Sequence, residues 1–330
     1  MAGLRAEGLR TSGIKTLAVK ERDPNTKEVT RINNTPQYVA FNDTKKNLVM
    51  AMADMSIFHN RSYKPRKKSG QKESMAAAKW AVIDGNLDPK AIMFAIQNLQ
   101  TTNTKVLFEP VSAYKSVKLF EASALASDKD LLKPWPNNVL DIATPNQYEL
   151  AALHAAASKQ GLFESPAWWP VIDALGIPSS GARDRFVRLT NAKLTDEGIP
   201  IQTVQLLPFI PTILTKLGEA GVLHTELLGP DDPRLRDPAS APFILSRTNI
   251  EDSNVGGVYM RLYTAAEVVE DVVSVNGAGD TFVGVLVAGL ASGMPLDENL
   301  IGIAQQGAVK TLRSNESVSA GVTGILKTLS

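Results

Sequence analysis

Short β-rich runs alternate with amphipathic stretches along this 330-residue chain, and this alternation constrains its fold more than any other feature. Residues 89–100 and 149–160, for example, have the apolar spacing of helices. The alternation predicts an α/β fold, in which helices cover both faces of a mostly parallel sheet and ligands bind at the carboxyl ends of the strands. The predicted strands lie within residues 15–19, 37–41, 48–55, 80–87, 105–112, 138–145, 212–218 and 271–275.

Composition narrows the class of protein further. Lys and Arg total 35 against 34 for Asp and Glu, and a formal charge of +1 predicts no general attraction to nucleic acid or to a membrane. The absence of cysteine excludes disulfides and thiolate metal sites, and it favours a reducing compartment, so we expect a cytoplasmic protein. Residues 1–13 lack the apolar run of a signal peptide, and the longest apolar run, 282–291, is too short to span a membrane.

We expect one main domain, residues 1–330, with two segments that depart from the pattern. Residues 61–72 carry six basic residues, which are interpreted as a solvated basic loop rather than a nucleic-acid or localisation patch. Residues 160–211 contain several prolines together with Trp168 and Trp169, and predict a helical excursion. The two tryptophans are interpreted as packing residues rather than as a platform for stacking bases.

Residues 8–16 come close to a Walker A phosphate loop. That motif requires Lys directly after its second Gly, whereas Ile14 separates Gly13 from Lys15. The loop should also follow a buried strand, but the residues before it are typical of a polar helix. A Walker A site is therefore not predicted here.

A more promising phosphate site lies at Gly277, Ala278 and Gly279. The β-branched run at 271–275 predicts a strand before them, and the apolar spacing after them predicts a helix that ends near 292–293. The first N–H groups of a helix have no internal partners and lie at the positive end of its dipole. Because small residues let an anion approach the backbone, the turn is predicted to be an anion hole.

Asp280 follows this turn directly. A hydroxyl that attacks a phosphoryl group must lose its proton, and a carboxylate beside the anion hole can accept it as a general base. Two alternatives remain open for the same residues: a plain helix N-cap, for which Asp is a favoured residue, and a dinucleotide-binding turn, which requires further spaced glycines.

Asn146 and Glu149 form a second candidate element after the predicted strand at 138–145. Their spacing of three residues places both side chains on one side of a helix start, facing the strand ends. Magnesium prefers oxygen ligands and retains several waters, so one or two protein groups can suffice to hold it. The alternative is an ordinary capping box, in which Asn146 is the N-cap and Glu149 completes the pair.

Three segments together resemble the PfkB, or ribokinase-like, family of carbohydrate and nucleoside kinases: 276–289, 144–149 and 215–223. The resemblance implies that Gly277, Ala278 and Gly279 form the anion hole and that Asp280 is the catalytic base. It also implies that ATP and Mg²⁺ are the cofactors and that Glu149 acts on the metal through water. Nucleotide contacts are implied for the remaining matched positions, Asn146, Lys216 and Gly218.

The chain departs from the family pattern at two of these places. Lys216 stands where Thr is usual in the strand and turn under the phosphates. Residues 274–276, Ser-Val-Asn, stand where many members carry an Asp-Thr pair that helps to bind a monovalent cation, so a requirement for such a cation is doubtful.

From about Leu9 onward the chain is similar to the pseudouridine kinases, in which a kinase domain can be fused to a pseudouridine-5'-phosphate glycosidase. The similarity implies a sugar or nucleoside substrate, with the 5'-hydroxyl of pseudouridine as acceptor, and lid or sugar-side strands within 31–58. A homodimer and a glycosidase, fused or separate, are further expectations. The family's first strand–helix–strand portion, with its sugar-binding Asp and Gly-Gly element, is not recognised, so the sugar pocket is expected to be incomplete.

A rival function follows from that last expectation: a catalytically silent domain that binds nucleotide or regulates a partner. An oxidoreductase is disfavoured, because no G-x-G-x-x-G follows an early strand.

Overall fold

The computed structural model of the protein describes residues 19–22, 29–32, 37–43, 48–54, 77–126, 131–178 and 180–326. The Walker-like segment 8–16 and the basic loop 61–72 lie outside the described residues, as does most of the strand predicted at 15–19. The chain divides into two compact units, one of residues 1–43 and 48–65 and the other of residues 44–47 and 66–330.

The first unit contains two antiparallel hairpins. In the second hairpin Val39 pairs with Met52 and Phe41 pairs with Met50, so all four side chains lie on one face, and all four are exposed. The predicted lid, 31–58, includes this hairpin, and its role as a lid stays a prediction. The strands are β1 (Val19–Arg22), β2 (Val29–Ile32), β3 (Gln37–Asn42) and β4 (Leu48–Asp54).

The second unit is built around a seven-stranded sheet in the order β10-β11-β9-β8-β7-β6-β5. The strands β5 to β8 are parallel, while β9, β11 and β10 add to β8 in antiparallel fashion. The α/β prediction is confirmed, with a sheet that is mixed beyond β8. The strands are β5 (Trp80–Asp84), β6 (Lys105–Glu109), β7 (Ile142–Ala143), β8 (Thr212–Lys216), β9 (Val222–Leu228), β10 (Ile244–Arg247) and β11 (Gly257–Tyr263).

Several helices of this unit begin at a side-chain cap. Asp88, for instance, accepts a hydrogen bond from the Ala91 N–H just before the first helix, which starts with Pro89. The described helices are α1 (Pro89–Leu99), α2 (Ala113–Ser116), α3 (Lys118–Leu125), α4 (Gln147–Lys159), α5 (Trp169–Ala174), α6 (Ala182–Leu189), α7 (Ala192–Asp196), α8 (Ile199–Leu206), α9 (Ala278–Ser292), α10 (Glu298–Leu312) and α11 (Val322–Leu326).

In β6 and β8, alternate residues divide between the two larger apolar cores, one on each face of the sheet. Phe108 and Ile213 belong to the core that packs against α1, α3, α4 and α8, whereas Leu107 and Leu214 belong to the core under α9 and α10. In the region predicted as a helical excursion, Trp168 is 5% exposed and its Nε1–H donates to the Gln205 carbonyl, while Trp169 is half exposed. In the described part of the chain, no helix combines the length and apolar character needed to cross a membrane.

The strand predicted at 271–275 is wrong. The N–H groups of Val273 and Ser274 donate to the Leu312 carbonyl at the end of α10, at 2.8 and 3.2 Å, and the segment forms no ladder with the sheet. Its valines are partly exposed, Val273 and Val275 to 36% each. Because β-branched residues also suit an extended loop, the pattern alone did not distinguish a strand from a connection.

Candidate active site

The turn before α9 is fixed by Gly277, which is the N-cap of the helix and has a φ of +78°. This left-handed conformation favours glycine. A Cβ atom here would also overlap the Ser317 carbonyl oxygen, which is a second reason for glycine at this position. Asp280 lies in the first helical turn. Asp280 is therefore not the N-cap, and the cap alternative is wrong at this residue.

Helix α9 is anchored so that its first turn stays open to solvent. Thr281 is 4% exposed and its hydroxyl lies 2.9 Å from that of Thr311 on α10, whereas Asp280 next to it is exposed. The side chains of Phe282, Val285 and Leu286 are buried below. The buried face thus holds the helix in place while the carboxylate and the first N–H groups remain accessible.

Lys216, at the end of β8, lies next to this turn. Its Nζ lies 3.5 Å from the position that a Cβ on Gly279 would occupy. The same ammonium is 3.0 Å from both carboxylate oxygens of Glu109, at the end of β6. Glu109 also accepts a 2.5 Å hydrogen bond from the Thr144 hydroxyl, which fixes the carboxylate. An oriented positive charge therefore lies beside the predicted anion hole.

Asn146 and Glu149 form the capping box that was left open as an alternative. The Asn146 Oδ1 accepts from the Tyr148 and Glu149 N–H groups at 2.9 Å, and Glu149 Oε2 accepts from the Asn146 N–H at 2.8 Å. The Lys216 N–H donates to the Pro145 carbonyl at 2.8 Å, so this helix start lies against the end of β8. The cap and a role toward the nucleotide are compatible, because the box keeps both side chains at the strand ends.

The electrostatics of Glu149 connect these residues. Burial raises the pKa of its carboxyl, the charges of Glu109 and Asp280 raise it further, and the Lys216 ammonium opposes the increase. Because the charges of Lys216, Glu109 and Asp280 all act on Glu149, these four side chains share one electrostatic environment.

Gly218 lies at the same strand end as Lys216, in the exposed turn after β8, with a φ of +59°. The Gly221 N–H donates to its carbonyl at 3.0 Å, which closes the turn. The structure thus brings every predicted site residue to the carboxyl ends of β7 and β8 or to the start of α9.

Sequence reasoning missed Glu109 and a second group at the end of β5. There Asp84 accepts from the Asn86 N–H at 2.8 Å, and Lys115 Nζ donates to Asn86 Oδ1 at 2.6 Å. Burial lowers the pKa of Lys115, while the charges of Asp84 and Asp280 counteract the decrease. Asp84 and Glu109 end adjacent parallel strands in register, a position at which ligands are expected, and this signal could have identified both.

The loop after β6 is strained. Val111 has a φ of +69°, which is rare for a β-branched residue, and its N–H donates to Glu109 Oε1 at 3.3 Å. Strain of this kind persists where the surrounding structure imposes it, and it is concentrated at functional sites.

No cage of protein ligands surrounds a metal position: among the described residues, no group of three or more His, Cys, Asp and Glu side chains could hold an ion. The buried carboxylates of Glu109 and Glu149 nevertheless suit a hydrated Mg²⁺, which keeps its waters and is held largely by phosphate oxygens. The residues present therefore fit the metal that the sequence predicts, in its water-mediated mode.

A cleft of about 580 Å³ lies elsewhere, between β11 and the start of α10. Arg234, Tyr259, Arg261 and Asp297 are among its lining residues, and no predicted site residue lines it. Asp280 is at the start of α9, whereas α10 begins after α9 ends, so a helix of 15 residues, about 22 Å long, separates the two places.

The segment that contains the turn and Asp280 is similar to known proteins. Residues 261–313 match the model of the pfkB family carbohydrate kinases, and this segment contains Gly277, Ala278, Gly279 and Asp280. The resemblance to the PfkB carbohydrate kinases is thereby confirmed. A pseudouridine-metabolizing bifunctional protein of Schizosaccharomyces pombe is 32% identical over 293 residues, which are 88% of this chain. The chain spans only 35% of that relative's length.

Two solved structures support the ribokinase-like fold. The ribokinase of Cryptococcus neoformans in complex with ADP superimposes with a TM-score of 0.52 and 16% identity, over 89% of this chain and 71% of that one. The adenosine kinase of Sinorhizobium meliloti gives a TM-score of 0.52 and 15% identity, over 99% of this chain and 72% of that one. At such identities the likeness concerns the fold alone, and it confirms the ribokinase-like prediction.

Proposed function

We propose that this chain transfers the γ-phosphoryl group of ATP to a sugar hydroxyl, with the 5'-hydroxyl of pseudouridine as the acceptor. The observation that carries the proposal is the position of Asp280, an exposed carboxylate in the first turn of α9. It lies next to a turn that requires glycine at position 277. The named function of the yeast relative supports the choice of acceptor.

Proton transfer and charge stabilisation divide between two parts of the turn. Asp280 accepts the proton of the attacking hydroxyl as the new O–P bond forms and the bond from the γ-phosphorus to the bridging oxygen breaks, which releases ADP. The N–H groups of Gly277, Ala278 and Gly279 donate toward the oxygens of the phosphoryl group, where negative charge is highest in the transition state. Both groups are held by a buried helix, so little reorganisation is needed during the reaction.

The remaining predicted residues hold the nucleotide. Lys216, beside Gly279, donates to phosphate oxygens, and Asn146 and Gly218 contact the nucleotide from the ends of β7 and β8. Glu149 would hold a hydrated Mg²⁺ through water, and the metal would neutralise phosphate charge. Asp84, Asn86 and Lys115 lie at the β5 side of Asp280, and we assign them to the acceptor side of the site.

The rival proposal is a silent nucleotide-binding domain, and two measurements separate the alternatives. Isothermal titration with Mg·ATP tests binding, and an assay with radiolabelled ATP and pseudouridine tests transfer, with uridine as the comparison acceptor. We expect binding together with formation of pseudouridine 5'-phosphate. Binding without any transfer would support the silent domain instead.

A small-molecule substrate, a cytoplasmic location and an association with a pseudouridine-5'-phosphate glycosidase belong to the same proposal. The last of these is supported by the relative's description as bifunctional. The expected homodimer stays a prediction, as does the doubtful requirement for a monovalent cation.

A further inference from the structure

The Lys216 ammonium forms an ion pair with Glu109, a carboxylate at the end of β6 that is largely buried. Its Nζ contacts both oxygens of Glu109 at 3.0 Å, and the side chains are only 17% and 8% exposed. The same ammonium counteracts the burial that raises the pKa of Glu149, while the negative charges of Glu109 and Asp280 act in the opposite direction. The lysine therefore supplies positive charge to carboxylates whose other partners are neutral hydroxyl and N–H groups.

The position of Lys216 also places it within reach of a phosphate. Its Nζ is 3.5 Å from the Cβ position of Gly279, in the predicted anion hole, so phosphate oxygens there would compete with Glu109 for the ammonium. A lysine is a compact charge on a flexible stem and exchanges partners without a matched planar geometry. Thr144 keeps Glu109 in place during such an exchange, because its hydroxyl donates to Oε2 of the carboxylate at 2.5 Å.

We propose that Lys216 is an internal counter-ion, which keeps a divalent cation away from Glu109 and Glu149 until nucleotide phosphates draw its ammonium toward the anion hole. The inference rests on the proposed function, and it deepens that function by making metal binding depend on nucleotide. The ammonium and a divalent cation repel one another at close range, so each weakens the binding of the other to the carboxylate of Glu109. A purely structural ion pair would keep the Lys216 ammonium on Glu109 when nucleotide binds.

The test is a titration of the nucleotide-free protein with Mn²⁺, followed by the electron paramagnetic resonance signal of the free ion. Lys216→Met should bind Mn²⁺ at least about tenfold more tightly than wild type, since the carboxylates lose their internal cation. The double variant Glu109→Gln/Lys216→Met should lose most of that gain. Arg261→Met is the matched control, because it removes the cation of the remote ion pair with Glu298, and its Mn²⁺ affinity should equal that of wild type.

Equal Mn²⁺ affinity in wild type and Lys216→Met would overturn the inference. Circular dichroism checks that the variants fold, and Lys216→Gln serves if the methionine variant does not. Wild type provides a further measurement: a non-hydrolysable ATP analogue should raise its Mn²⁺ affinity by a larger factor than that of Lys216→Met, and equal factors would also count against the exchange. Since the titration needs no turnover, a wild type that fails to phosphorylate pseudouridine would defeat the proposed function without changing this result.

Discussion

Asn146 and Glu149 cap one another at the start of α4: each accepts a hydrogen bond from the backbone N–H of the other, at 2.8 and 2.9 Å. The pair satisfies two N–H groups that a helix start leaves without partners. It also holds the Glu149 carboxyl at 3% exposure near Glu109, Asp280 and Lys216, although burial of an ionised group is unfavourable.

This relationship predicts a stability–function trade-off in Glu149→Gln. Glutamine can complete a capping box but carries no charge. Since burial raises the pKa of the Glu149 carboxyl above its ordinary 4.5, the unfolded chain ionises first as pH rises, and wild type loses stability that the variant keeps. The free energy of unfolding of the variant, measured in urea, should therefore gain on wild type from about pH 4 to pH 7 while transfer activity falls. If the difference in unfolding free energy between the two proteins stayed constant with pH, the pKa of Glu149 would not be raised in the folded protein.

The sequence predicts the turn at 277–280 well because its requirement is local. A positive φ of +78° at the helix start favours glycine, and the helix after it shows its own apolar spacing. The capping box at Asn146 is local in the same way, since its two members are three residues apart.

What the sequence does not predict depends on tertiary pairing. Glu109 and Lys216 are 107 positions apart, and only the order of β6, β7 and β8 in the sheet brings them together. Strand β9 was missed because His224 and Glu226 interrupt its apolar pattern. The ion pair of Glu226 with Arg234 allows the carboxylate to be buried in the strand, and the sequence around Glu226 does not reveal that pair. Likewise, the run at 271–275 was assigned to the sheet because its contact with α10 has no local signal.

Gly277→Ala should damage both stability and transfer. An alanine at φ +78°, with its Cβ against Ser317, costs about 1–3 kcal/mol of unfolding free energy and displaces the first turn of α9. Gly284→Ala is the matched control in the same helix, since a Cβ there meets nothing within 4 Å. It should stabilise the protein by about 0.5–1 kcal/mol and leave transfer unchanged. Urea denaturation and the transfer assay measure both effects, and similar behaviour of the two variants would count against the predicted anion hole.

Glu226→Gln should weaken the fold without reaching the active site. Burial by itself would raise the pKa of Glu226, but hydrogen bonds from Arg234 and His224 outweigh it and lower the pKa from 4.5 to about 2. Wild type therefore has this stabilisation above pH 4.5 and loses it as pH falls toward about 2. At neutral pH the variant should lose about 3 kcal/mol of unfolding free energy, and the loss should shrink in acid. A deficit that does not depend on pH would show that the ion pair is not its cause.

The rate of phosphoryl transfer from ATP to pseudouridine in Asp280→Asn tests the central claim most directly. Asparagine keeps the size of the side chain but cannot accept the proton, so turnover should fall by about 10²- to 10⁴-fold while titration still shows Mg·ATP binding. Asp297→Asn is the matched control, because asparagine can replace this N-cap of α10, and its rate should equal that of wild type. Wild-type turnover in Asp280→Asn would contradict the assignment of Asp280 as the base.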